Sequence, residues 1–192
     1  MDEHLLLQLK RNDPSIPWVV LSWSTVGADG ARALARALVR NSTVTNLVLA
    51  RCAIGDRGVK YLASVLRRNR TITHLNLQCN GIGDAGALDL AGALRRNETL
   101  THLFLSNNTI GPAGVGAIAN AIFRPGSAVE HLTLSSNCFG ADGAEAVSRA
   151  LSAGGGGGRA IDCIDLSTNR IGDEGAISLA HALSSPRGSV RV

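Results

Sequence analysis

The chain has 192 residues, a mass of 19.9 kDa, a formal net charge of +4 and a sequence pI near 9.2. Hydrophobic residues make up 45% and charged residues 18%, which excludes a disordered chain, and no apolar run approaches the roughly 20 residues that span a bilayer. Aromatics are only 3%, so the core must come from Leu, Ile, Val and Ala, and the size is that of one domain over 1–192.

The opening residues Met1 to His4 are acidic, followed by only a short Leu5-Leu6-Leu7 run, so they do not read as a signal peptide. The expected compartment is the cytoplasm. Cys52, Cys79, Cys138 and Cys163 are scattered without a CxxC pair or a zinc-finger histidine, and buried free thiols are expected. The segment Leu5 to Asn12 reads as the closing helix of a half-repeat, since LLLQLKRN echoes YLASVLRRN further on.

Six units follow, starting at Ile16, Val44, Ile72, Leu100, Val129 and Ile161. Their fourth and sixth residues are aliphatic every time, from Val19/Leu21 through Leu47/Leu49, Leu75/Leu77, Leu103/Leu105 and Leu132/Leu134 to Ile164/Leu166. That alternation predicts a short strand with one buried face. The ninth residue is Asn in four units (Asn80, Asn108, Asn137, Asn169), where an amide can satisfy turn backbone and stack unit on unit. Glycine stands at the twelfth and fifteenth positions of all six, as at Gly83 and Gly86, and Gly83→Val or Gly86→Val is expected to destabilise far more than Gly156→Val. Asp56, Asp84 and Asp173 follow the first glycine, where a carboxylate is expected to cap its own helix. Apolar residues at helical spacing then complete a β-turn-α unit, as in Ala87, Leu90, Ala91 and Leu94.

Gly154 to Gly158 read as a flexible insertion in the enlarged fifth unit. The run lacks the Lys-Ser/Thr of a phosphate-binding loop. The chain reaches Ser189 to Val192 where a seventh strand would begin, so the edge of the sixth unit is expected to fray or to self-associate end to end.

With its NxIGDxGAxxLAxALxxN units, the sequence resembles the leucine-rich-repeat family, in its ribonuclease-inhibitor-like class, with repeats similar to those of NOD-like receptors. The resemblance implies an α/β fold, a right-handed horseshoe segment with a parallel sheet on the concave face and helices on the convex face. It implies a non-catalytic module that binds a protein partner through the concave sheet, with no enzyme activity, cofactor or metal. The alternative is a regulator of a small GTPase resembling the Ran GTPase-activating protein. Ribonuclease inhibition is disfavoured, because a basic ribonuclease would want an acidic concavity and Asp165 is nearly alone there.

Strand alternation sends the third and fifth residues of each unit to that concave surface. Trp18, Val20, Trp23 and Val48 would form an apolar patch beside Arg51, with Phe104 further along. The tryptophans have a second reading, as a cap on the end of the solenoid against the Leu5–Leu9 helix. His74, His102 and His131 would form a ladder ending at Cys163. A straight ladder does not give a tetrahedral metal site, so a protein-contact strip is expected there. Arg40, Arg67, Arg68, Arg95, Arg96 and Arg124 recur at helix C-termini, where dipole compensation is the favoured reading and a basic edge for an acidic partner or polyanion the other. Nucleic acid is not an expected partner.

Overall fold

The computed structural model describes residues 2–154 and 161–184. Gly155 to Gly158 and Ser189 to Val192 fall outside them, and with them the expectations for the glycine insertion and the seventh strand. The elements alternate: α1 (Glu3–Lys10), β1 (Trp18–Val20), α2 (Gly27–Leu38), β2 (Asn46–Val48), α3 (Gly55–Leu66), β3 (His74–Asn76), α4 (Asp84–Leu94), β4 (His102–Phe104), α5 (Pro112–Ile122), β5 (His131–Thr133), α6 (Gly140–Ala153), β6 (Cys163–Asp165) and α7 (Gly172–Leu183). The six strands form one parallel sheet in chain order, as one strand and one return helix per unit require. Each helix packs on the next, and a single apolar cluster lies between helices and sheet. This is a leucine-rich-repeat α/β solenoid.

The register follows the repeat. Val19, Leu47, Leu75, Leu103, Leu132 and Ile164 pair in one row. The leucine two residues on lies beyond each three-residue strand, yet inter-unit hydrogen bonding continues past it, from Leu49 N to Asn76 O (2.9 Å) and Arg51 N to Gln78 O (2.9 Å). α1 closes the first end with Leu9 buried and Leu5 and Leu6 packed on the core, and Asp2 caps it by accepting from the His4 N–H. At the other end Leu183 of α7 is exposed and Ile164 and Leu166 only half-buried, whereas their equivalents in the third unit, Leu94 of α4 and Leu75 and Leu77, are buried. All four cysteines are free, but only Cys52 is buried, since Cys138 and Cys163 lie on open strand and turn positions.

Buried asparagines stitch neighbouring units together. Asn108 Oδ1 accepts from Asn80 N and Ile82 N of the preceding unit, both at 3.0 Å, while its Nδ2 donates to Leu77 O and Leu105 O. Asn80 does the same one unit earlier, and Asn137 and Asn169 continue the row. A second asparagine row, which the sequence reading missed, runs where each helix turns back towards its strand. Asn41, Asn69 and Asn97 are buried; their Nδ2 groups donate to Leu9 O, Asn41 O and Leu66 O, and their Oδ1 atoms accept from Val44 N, Ile72 N and Leu100 N. In the next unit Arg124 takes over, donating to Leu94 O and Asn97 O.

The turn glycines correct the expectation in two ways. Asp56 and Asp84 do not cap their own helices. Each reaches across to the next unit: Asp56 Oδ1 accepts from Gly83 N (2.8 Å) and Gly86 N (3.0 Å), and Asp84 Oδ1 from Gly111 N and Gly114 N (both 2.8 Å). The turn differs accordingly. Where the preceding unit supplies this carboxylate, the glycine is extended, with φ −103° at Gly83 and −95° at Gly111. Where it supplies Ala28 or Ala141, the glycine is left-handed, as at Gly55 (φ +58°) and Gly172 (φ +65°). Gly83 therefore has ordinary backbone and room, its nearest neighbour to an added Cβ being 3.5 Å away. Gly86 and Gly114 have none, because a Cβ would sit 2.6 Å from Asp56 Oδ1 and 2.5 Å from Asp84 Oδ1. Gly114→Ala is expected to lower stability by about 1–3 kcal/mol, and Gly83→Ala by no more than about 0.5 kcal/mol. Urea unfolding of the two variants checks the difference.

Candidate functional site, the open face of the sheet

One face of the sheet packs on the helices; the other carries every sequence-predicted contact residue. The register aligns Trp18, Asn46, His74, His102, His131 and Cys163 in one row and Val20, Val48, Asn76, Phe104, Thr133 and Asp165 in the next. The predicted residues fall into two groups. Trp18 (64% exposed) and Val20 (59%) stand free on β1, and Val48 is half-buried beside Val20. Trp23 (74% exposed) follows β1 at the rim, with the Arg51 guanidinium 4.2 Å over its ring. That contact keeps a cation and a π face together at the edge of the apolar patch. The tryptophans do not cap the solenoid: α1 does so, through Leu5, Leu6 and Leu9, and both indoles are exposed.

Rim side chains are held outward by the backbone. The residue in the eighth position of every unit has a left-handed φ, between 55° and 65°, at Trp23, Arg51, Cys79, Asn107, Ser136 and Thr168. For side chains other than glycine this is an uncommon conformation; in the first five units the N–H bonds the carbonyl of the next unit, as in Trp23 N to Ala50 O at 3.0 Å, and Thr168 keeps the same conformation in the sixth. No glycine marks the position in the sequence.

The second group is the histidine ladder. Ring centroids of His74 and His102 lie 4.0 Å apart, those of His102 and His131 4.4 Å, with interplanar angles of 13° and 17°. Phe104 tilts against His102 at 6.2 Å and belongs to this group, since Asn76 separates it from Val48. The Nδ1 atoms of His74 and His102 lie 2.9 and 2.8 Å from Thr73 Oγ1 and Thr101 Oγ1. Each threonine hydroxyl gives its one proton to a carbonyl of the preceding unit, Thr45 O or Thr73 O. Where the hydroxyl proton goes to that carbonyl, the imidazole donates through Nδ1 and its Nε2 is the acceptor. Stacked rings hold these lone pairs side by side rather than converging on a point, and no cluster of three or more His, Cys, Asp or Glu suited to a metal occurs among the described residues. Beyond β4 the face turns polar, with a hydroxyl chain from Ser135 through Ser106 to Thr133, each step 2.9 Å.

Burial, together with His74 and His131 on either side, holds His102 below the ordinary imidazole value of 6.5, and Glu130 opposes them only partly. The consequence for stability has a definite sign. Just below pH 6.5 the unfolded chain binds a proton at this residue that the folded chain refuses, so stability falls as pH drops through that window. The loss levels off once the folded form also protonates. His102→Gln is expected to flatten this dependence between pH 7 and pH 5, as read by urea unfolding at each pH.

The TMOD/LMOD leucine-rich domain family matches residues 2–124, and a leucine-rich-repeat family matches residues 129–148 and 163–180. Among solved structures, one described as leiomodin-1 actin-binding site 2 is similar with a TM-score of 0.67 and 28% identity, over 79% of this chain and 88% of that one. A tropomodulin C-terminal domain from Caenorhabditis elegans is similar with a TM-score of 0.63 over 79% of this chain and 92% of that one; at 16% identity this is a likeness of fold. A search of curated proteins gave no match. The 123-residue family match, continued by generic repeats, places this solenoid by descent as well as by shape: the chain belongs to the tropomodulin/leiomodin leucine-rich domain family.

Proposed function

We propose that residues 1–192 act as one non-catalytic protein-binding domain, that its partner is actin, and that the partner docks on the open face of the sheet. The observation that carries the reading is the apolar patch of Trp18, Val20 and Trp23, exposed and edged by Arg51. Large aromatic and Arg side chains are the residue types that dominate binding energy, and a soluble protein rarely leaves them clustered and open without use. Val48 extends the patch, and His74, His102, His131 and Phe104 continue it along the face with imidazole acceptors for polar contacts. Actin is named because the leiomodin-1 domain is described as an actin-binding site. No helix among the described residues is long and apolar enough to cross a membrane, and the cytoplasm is the compartment we propose.

Each indole has roughly 100 Å² or more left to bury, worth about 2–3 kcal/mol at 25 cal/mol per Å². Trp18→Ser with Trp23→Ser is therefore expected to weaken actin binding by about thirtyfold or more, measured by co-sedimentation. Its melting temperature should stay near that of the parent, because neither ring packs in the core. Unchanged binding by the double variant would remove the open face as the contact surface, and absence of binding by the parent chain would remove actin.

A further inference from the structure

The helix C-termini form a lateral edge on which seven cationic side chains recur at the ends of four successive helices. Lys10 and Arg11 end α1, Arg40 follows α2, Arg67 and Arg68 follow α3, and Arg95 and Arg96 follow α4; all are exposed. Compensation of the helix dipoles does not account for them. Each C-terminus carries roughly half a negative elementary charge, about two for the four helices. The free carbonyls there already have donors: Arg70 bonds Arg67 O, Asn69 O and Arg96 O, Arg124 bonds Leu94 O and Asn97 O, and the buried asparagines take others. Asp13 and Glu98 are the carboxylates carried by the turns of this edge. Allowing for both, about three of the seven positive charges remain even before Arg70 and Arg124 are counted, in a chain whose whole net charge is +4. Among the described residues the ion pairs are Arg32–Asp29 and Arg149–Glu145, neither on this edge.

We infer that this edge is a second docking surface, and that its occupant is an extended acidic segment of a protein partner. Packed helices lie 8–10 Å apart, so the charged row runs for about 30 Å, and neighbouring charges sit about one Debye length apart, close enough to act together. Six of the seven cations are Arg, whose planar fork grips carboxylates two-handed. The row has no exposed aromatic ring on which nucleic-acid bases would stack. Its one exposed apolar side chain, Val39, is too little to seat in a membrane. Carboxylates along an extended chain of about ten residues, spaced 3.4 Å apiece, match the row in length and in charge. The inference stands apart from the open-face reading, since the residues are different and lie on another side of the unit.

The probe is a fluorescein-labelled decaglutamate peptide titrated into the full chain at low salt, with a glycine-serine decapeptide, phosphatidylserine vesicles and decathymidylate as parallel arms. Decaglutamate should bind, the glycine-serine peptide should not, and affinity should fall steadily as salt rises. Arg68→Glu with Arg96→Glu should weaken it by about tenfold or more, and Arg68→Gln with Arg96→Gln by less, both with the melting temperature of the parent chain. Trp18→Ser with Trp23→Ser should leave it unchanged. Equal binding of decaglutamate by the charge-reversed and parent chains, no preference over the neutral peptide, or binding of vesicles or decathymidylate in its place would overturn the proposal.

Discussion

The second to fifth units of this solenoid each end their strand in a turn whose amides are met by an asparagine side chain from the next unit. Asn108 alone accepts from two amides of the unit before it and donates to carbonyls of two units. An amide is the one neutral side chain that offers an acceptor and two donors in a plane, and leaving such buried groups unpaired costs on the order of 1–3 kcal/mol each. The second row, Asn41, Asn69 and Asn97, repeats the device where each helix returns to its strand. Pinned at both corners, successive units can differ little in relative position. The flat row of strands, the histidine stack and the line of helix ends all inherit their regular spacing from this.

The two turn classes show the same dependence on a neighbour. Whether a turn glycine is extended or left-handed follows from the thirteenth residue of the preceding unit, Asp56 or Asp84 against Ala28, Pro112 or Ala141. A local conformation is thus chosen by a carboxylate some 27 to 30 residues earlier in the chain. The helix-packing glycine three residues on serves that carboxylate as much as it serves the helix.

The strands, their register, the histidine ladder and the exposed tryptophans were legible because each rests on period: alternation within a strand, or one residue type recurring every unit. Asn41, Asn69 and Asn97 also recur 28 residues apart, so their row was within reach of the same reasoning, hidden only by its place among polar turn residues. The role of Asp56 and Asp84 was not within reach, since a carboxylate after a turn glycine looks the same whether it caps its own helix or clamps the next. Nor was the left-handed backbone at Trp23, Arg51 and Thr168, because the residue types there are unrelated and none is glycine. The sequence left the tryptophans open between a contact patch and an end cap. Leu5, Leu6 and Leu9 cover the first unit's core and leave both indoles exposed, and only the packing of α1 decides it.

Removing one asparagine from the ladder tests the account most directly. In Asn108→Ala, native-state hydrogen exchange should show lost protection at the amides of Asn80 and Ile82, the two that Asn108 Oδ1 serves in the neighbouring unit. Global stability should fall by about 2–4 kcal/mol. Protection unchanged at both amides, with stability within about 0.5 kcal/mol of the parent, would mean that apolar packing alone aligns the units, and that the asparagines follow the architecture instead of imposing it.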